Sequence, residues 1–365
     1  MKKIVFFNST MQMGGPARVI SLWSNYFINQ SIDVEIVSNI DVPLFYKFDE
    51  NIKYSILGID KFKQKSKIKT LFSIYSFLKN RENEILVFNK GLYIIYLFFL
   101  KKMGLINKSL KLVYFAHGGS SDFKTMYNNG INYMINFTFD RVITLHDDYD
   151  TFDYKESKKR KMINSLFLNK WEDLKNKITY IPNPVTFRSE QGVDYENRVI
   201  LAVGRLDKIK GFNLLIESWQ SIAKKYPNWK LKIVGSGEEE KYLKYLAKGI
   251  ENIEFLSEQK NIKREYLSSS IYAMPSIEEG FGMVVVEAME CGLPIVAFDN
   301  VGAKFLVKDN GLLCKIKNII CLSESMEKLI LDKNLRETLG KKSKEEVKQF
   351  YIENLSSKWK EIFND

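Results

Sequence analysis

The second half of the chain switches repeatedly between short apolar runs and longer amphipathic stretches. Residues 198–203, 230–234, 253–255, 271–274 and 294–298 are stretches of strand length rich in apolar and β-branched residues. Between them, residues 212–225, 238–248 and 263–269 predict helices, and helices fill most of what lies beyond Leu322. Alternation of this kind predicts a parallel sheet covered on both faces. The first half follows the same theme less regularly. Strands are expected at 3–7, 34–38, 85–88, 112–115 and 141–144, and helices at 17–28 and after Lys67, where Ile68, Leu71, Phe72 and Tyr75 fall at helical spacing. Ile181-Pro182-Asn183-Pro184 interrupts regular structure and reads as a linker. The expected fold class is α/β, with two Rossmann-like domains whose parallel sheets face across a cleft where ligands bind.

Composition narrows this little. With 365 residues, 45% hydrophobic and 27% charged, the chain can fill two cores and is unlike a disordered protein. The apolar run after Lys2-Lys3 is too short for a signal peptide and reads as a first strand. The longest apolar stretch, residues 92–100, falls well short of the roughly 20 residues a span needs, so it is expected to be a buried or interfacial helix. Cys291, Cys314 and Cys321 share no metal-ligand spacing and are expected as reduced thiols in a cytoplasm. His117 and His146 are too few for a zinc cluster.

Charge changes the picture more. Residues 1–180 hold 27 Lys/Arg against 17 Asp/Glu, whereas residues 181–365 hold 28 against 27, so nearly all of the net +11 lies in the first half. Its basic runs are Lys61, Lys63, Lys65, Lys67 and Lys69, then Lys101-Lys102, then Lys158-Lys159-Arg160-Lys161. Each run alone is an ordinary solvated face. The asymmetry points to an anionic membrane surface or to nucleic acid.

The candidate chemistry lies where strands end. Glu279 and Glu287 bracket Gly280-Phe281-Gly282-Met283-Val284, between a buried strand and a helix that stops at Gly292-Leu293-Pro294. A fresh helix start binds phosphate through bare N–H groups, and the flanking carboxylates suit sugar or ribose hydroxyls. Gly204-Arg205-Leu206-Asp207-Lys208-Ile209-Lys210-Gly211 places two cations in a short loop before a helix, which suits a diphosphate. Gly235-Ser236-Gly237 follows the next strand, either under a nucleobase or as a plain turn. Gly14-Gly15-Pro16 opens the first helix without the Gly-x-Gly-x-x-Gly or Walker pattern. His117 ends a strand beside Gly118-Gly119 and is a candidate for binding or polarising a sugar; His146 is a weaker one. Asp148-Tyr149-Asp150 has the spacing of a metal clamp, but an acidic loop or cap explains it better, and no metal is required.

Taken in order, these motifs resemble the GT4 family of retaining glycosyltransferases. Glu279 and Glu287 match its Glu-x7-Glu signature, and Gly14-Gly15, Ile181-Pro182-Asn183-Pro184, Gly204-Arg205 with Lys210-Gly211 and Gly235-Ser236-Gly237 keep its order over roughly residues 1–315. The resemblance implies a GT-B architecture: residues 1–182 as acceptor domain, which the charge asymmetry makes membrane-facing, 183–348 as nucleotide-sugar domain, and 349–365 as a helix crossing back to the first. It implies that Arg205 and Lys210 hold the donor diphosphate, helped by the N–H groups of Gly15, Phe281, Gly282, Met283 and Val284. Glu287 would bind the ribose, Glu279 the donor sugar, and His117 would stand beside the transferred sugar, with retention and no metal or other cofactor. One departure is that Lys304-Phe305-Leu306 follows Val301-Gly302-Ala303, where the family carries an acid, which alters the sugar-facing edge of the donor pocket.

The resulting expectation is an enzyme peripheral on the cytoplasmic face of a bacterial plasma membrane. It moves a hexose or N-acetylhexosamine from a nucleotide-diphosphate sugar, UDP favoured, onto a polyprenyl-diphosphate-linked or other glycan acceptor in O-antigen or capsule synthesis. Its partners include an anionic membrane and no nucleic acid. The alternatives are a sugar-nucleotide epimerase on the same architecture and a non-catalytic nucleotide-sugar or partner-binding module.

Overall fold

A computed structural model describes residues 3–12, 14–59, 66–89, 91–117, 131–146, 173–259 and 261–364. The chain divides into two compact units, residues 1–184 with 355–365, and residues 185–354.

The first unit is a seven-stranded parallel sheet in the order β3-β2-β1-β4-β5-β6-β7. Its strands are β1 (Lys3–Asn8), β2 (Val34–Ser38), β3 (Lys53–Ile56), β4 (Glu84–Phe88), β5 (Lys111–Phe115), β6 (Arg141–Thr144) and β7 (Ile178–Tyr180). Its helices are α1 (Gly15–Asn29), α2 (Lys67–Leu78), α3 (Ile94–Lys102) and α4 (Ile131–Thr138). The central strands are mostly apolar because both faces are covered, with Ile4–Phe7 of β1 an unbroken buried run. On one face, Val5 and Phe7 of β1 pack with Ile74, Leu97 and Ile135 from α2, α3 and α4. On the other, Phe6 meets Phe27 of α1 and Trp359 of the last helix, α12 (Ile352–Asn364), whose ring lies 5.4 Å from Trp23. Fully buried Trp359 therefore fixes the end of the chain within this unit.

One buried charge sits in this sheet. Glu35 of β2 accepts hydrogen bonds from Lys3 (2.6 Å), Ser55 (2.6 Å) and Arg81 (2.9 Å to each oxygen). Burial pushes its carboxyl up, but these donors outweigh burial and hold it below the ordinary glutamate value.

The second unit is a six-stranded parallel sheet in the order β10-β9-β8-β11-β12-β13. Its strands are β8 (Val199–Val203), β9 (Lys230–Val234), β10 (Ile253–Leu256), β11 (Ile271–Met274), β12 (Ile295–Phe298) and β13 (Gly311–Cys314). The helices are α5 (Phe212–Ile222), α6 (Glu240–Leu246), α7 (Ile262–Leu267), α8 (Met283–Cys291), α9 (Val301–Leu306), α10 (Ile319–Leu331) and α11 (Lys333–Glu346). One expectation needs correction. Cys314 and Cys321 are joined in a disulfide rather than present as free thiols, because the turn between β13 and α10 brings their Cα atoms to 5.7 Å. The helix expected after Lys67 is α2: it buries Thr70, Ile74 and Leu78, packs Leu71 and Tyr75 partly against the core, and leaves Ile68 and Phe72 67% and 66% exposed.

Candidate active site

In the second unit, two loops at the carboxyl edge of the sheet are tied together. The loop after β8 ends in a single turn, Lys208–Lys210, capped by Asp207, whose Oδ1 accepts from the Lys210 N–H at 3.1 Å. The other Asp207 oxygen holds the Arg205 guanidinium at 2.5 Å, leaving Arg205 72% exposed but anchored. Gly211 closes the loop at φ +66; a Cβ there would stand 2.2 Å from the Pro275 carbonyl. That contact brings the β8 loop against the β11 loop, where the Ile277 N–H donates to the Ile209 carbonyl at 2.8 Å. Lys210 Nζ then reaches Glu279 Oε2 at 2.6 Å.

From Glu279 the chain turns through Gly282 (φ +94) into α8, whose first-turn amides form the positive end of the helix. The adjacent turn is pinned by the Gly302 N–H, which donates to the Glu279 carbonyl at 3.1 Å. Phe281 packs on Phe305 and Phe350, with ring centroids 6.1 and 5.7 Å away. Phe305 thus joins an aromatic cluster, while neighbouring Lys304 pairs with Asp299 at 3.4 Å.

Glu287 lies further along α8 and is only 9% exposed. One carboxylate oxygen accepts from the Thr186 hydroxyl at 2.6 Å and the other lies 2.9 Å from the Tyr266 hydroxyl. The two hydroxyls orient the carboxylate, and each of its oxygens can accept more than one hydrogen bond. Burial, then the Glu287 and Glu279 carboxylates, push the Tyr272 hydroxyl well above its ordinary value. Tyr272 donates to the Val203 carbonyl at 3.3 Å, so both acids act on a side chain anchored at the end of β8. Gly235 and Gly237 face the Gly204–Leu206 backbone, where added Cβ atoms would lie 1.9 and 2.3 Å from the Gly204 and Leu206 carbonyl oxygens. Close backbone packing already requires glycine there.

In the first unit, His117 follows β5 and stacks on Phe115, with ring centroids 4.2 Å apart. Its Nε2 lies 2.6 Å from Asn89 Oδ1, at the end of neighbouring β4. Asn89 Nδ2 donates to the Phe7 carbonyl of β1 at 2.9 Å, which turns Oδ1 toward the imidazole. An amide oxygen only accepts, so Nε2 carries the proton. Gly15 begins α1 at the same carboxyl edge, with open space where a Cβ would stand. His146 is buried, with Thr144 donating to its carbonyl at 3.1 Å. Asp148 and Asp150, Gly118 and Gly119, Lys61, Lys63, Lys65 and residues 158–161 lie outside the described residues. Among the described residues no cluster of acids, histidines and cysteines could hold a metal ion.

Asp207, Thr186, Tyr266 and Asn89 were not anticipated from sequence. Asp207 had a signal, an acid three residues before Lys210 at capping spacing. The others reach their partners from segments far away along the chain.

Two parallel α/β sheets with glycine, cation and acid loops at their carboxyl edges define the GT-B class. Residues 186–346 match the family model for group 1 glycosyl transferases. An uncharacterized glycosyltransferase of Haemophilus influenzae is 34% identical over 379 residues, covering 99% of this chain and 100% of its own. The amylovoran biosynthesis glycosyltransferase AmsD of Erwinia amylovora is 26% identical, covering 100% and 99%. Among solved structures, Anabaena HepE in complex with UDP-glucose superposes with a TM-score of 0.74 at 18% identity, covering all of both chains. The chain belongs to the group 1 (GT4) family and is a glycosyltransferase with the GT-B fold.

Proposed function

We propose that the enzyme transfers a hexose or N-acetylhexosamine, with retention, from a UDP-sugar onto a lipid-linked glycan in bacterial surface-polysaccharide synthesis. The observation that carries this reading is the Lys210–Glu279 pair at the opening of α8, with Glu287 held inside the same helix. On this reading the diphosphate displaces Glu279 from Lys210. The freed cation, Arg205 and the amides of Phe281, Gly282, Met283 and Val284 then neutralise it. Glu279 accepts hydrogen bonds from the donor sugar and Glu287 from the ribose, while the base lies toward Gly235 and Gly237. The Gly15 amide adds to the diphosphate grip, and His117 contacts the transferred sugar.

The acceptor oxygen attacks the anomeric carbon on the face from which the phosphate oxygen departs. Its proton passes to that departing oxygen, so the diphosphate leaves with the charge its grip was built to hold. No side chain need become a covalent carrier, and the donor set calls for no metal. HepE, solved in complex with UDP-glucose, supports the choice of UDP, and AmsD, a polysaccharide-synthesis relative, supports a glycan acceptor. The basic first half supports a lipid-linked acceptor at the inner face of the plasma membrane.

The test incubates the purified protein with UDP-, GDP- and dTDP-sugars and short lipid-diphosphate acceptors, reading products by mass spectrometry and their anomeric configuration by NMR. A UDP-sugar should give an acceptor-dependent product with the donor's configuration. Turnover without any acceptor would point to epimerisation instead and would end the transferase mechanism.

A further inference from the structure

Three helices of the first unit present an outer face that the sheet does not use. α2, α3 and α4 lie side by side on one sheet face, their inward residues Ile74, Leu78, Leu97 and Ile135 sharing one core with Val5 and Phe7. Turned the other way, Ile68 and Phe72 of α2 are 67% and 66% exposed. On α3 and just beyond it, Ile95, Phe99 and Met103 are 48%, 49% and 55% exposed at steps of four residues, which aligns them along one stripe. Phe137 of α4 extends the stripe: its ring lies 5.3 Å from Phe98, which in turn touches Phe99.

None of the three helices contains an aspartate or glutamate, whereas α2 carries Lys67 and Lys69 and α3 carries Lys101 and Lys102. Lys101 is committed to the Thr138 carbonyl and Asp140. Lys102 is exposed, with its ammonium 5.9 Å from the Phe98 ring centre.

We infer that this face of α2, α3 and α4 seats the protein on an anionic bilayer, the apolar stripe entering the headgroup boundary and Lys67, Lys69 and Lys102 meeting lipid phosphates. Soluble monomers seldom leave aromatic and aliphatic side chains aligned in water over adjoining helices. Lysines flanking such a stripe reach outward past it, so both features address one surface. A second copy of the same face would set lysine against lysine, which disfavours self-association there. No helix among the described residues is long and apolar enough to cross a membrane, so the contact lies in the plane of the interface. The inference deepens, and rests on, the reading of a lipid-linked acceptor by naming the surface that would bring the enzyme to it.

Vesicle flotation of the full chain tests this without requiring turnover. Phosphatidylglycerol-containing vesicles should carry the protein up and neutral phosphatidylcholine vesicles should not. Phe72→Glu with Phe99→Glu should lower the bound fraction at least about tenfold, since charge on an inserted face opposes entry. Met103→Cys carrying an environment-sensitive dye should shift to the blue on anionic vesicles only, a readout independent of those two variants. Equal flotation with neutral vesicles, wild-type binding by the double variant, or an unshifted dye would overturn the proposal. So would a lipid-free dimer, seen by light scattering, that the double variant abolishes. Transfer to a water-soluble acceptor, assayed in parallel, separates failure of docking from failure of the transferase reading.

Discussion

Lys210 Nζ and Glu279 Oε2 lie 2.6 Å apart, joining the loop after β8 to the loop that opens α8. Both side chains are mostly shielded, at 24% and 15% exposure, so the pair is stronger than an exposed one and each group depends on the other. In Lys210→Ala, Glu279→Ala and the double variant, each single change should lower kcat/KM about tenfold to a few hundredfold. The double loss should be well below the product of the singles. Strictly multiplicative losses would mean the two residues act at unrelated places.

Asn89 sets the imidazole of His117. Asn89→Leu keeps the side chain's size and removes the acceptor from the Nε2 proton, so kcat/KM should fall about three- to tenfold. His117→Ala should cost about tenfold to a hundredfold by removing its contact with the transferred sugar. A rate indifferent to Asn89→Leu would detach this pair from the chemistry.

Tyr266 holds Glu287 by one hydroxyl in a fully buried place. Tyr266→Phe keeps the ring and removes that contact. Affinity for UDP, measured by calorimetry, should fall about three- to tenfold with kcat little altered. Unchanged affinity would free Glu287 from any part in nucleotide binding.

Glu35 gives the first unit an acid-sensitive core. Because its folded pKa lies below the ordinary 4.5, its contribution is complete above that value and is lost as pH falls through the lowered one. Wild-type melting temperatures should therefore fall steeply on acidification, and Glu35→Gln should flatten that fall while lowering stability near neutral pH. Parallel curves for the two proteins would contradict this.

Thiol titration distinguishes the three cysteines. Burial, partly offset by Lys344, pushes the Cys291 thiol up to about 12, so the folded protein should show no reactive thiol. Unfolding without reductant should release one thiol, Cys291, and adding reductant before unfolding should release all three. Three thiols without reductant would exclude the Cys314–Cys321 bond.

Much of this architecture was legible in the sequence where burial is two-sided. β11 begins and ends where its apolar run does, because all four of its side chains are buried. β3, with pattern KYSI, and β13 were not legible, being short edge strands with partly exposed side chains. At the site, Arg205, Lys210, Glu279 and Glu287 stand in linear motifs that carry their own spacing. Thr186, Tyr266 and Asn89 reach their partners across 101, 21 and 28 residues, a proximity that only folding creates.

Gly235 and Gly237 also act through what they lock together. The Gly204 and Leu206 N–H groups donate to Val234 and Ser236, and Glu239 returns a bond to Leu206, so the turns after β8 and β9 are stitched into one plate. On the proposed reading, a nucleotide settling on it would meet a floor already laid, with little disorder left to quench on arrival. A methyl group at either glycine would wedge the plate apart and make ligand capture costly without touching a single charged residue.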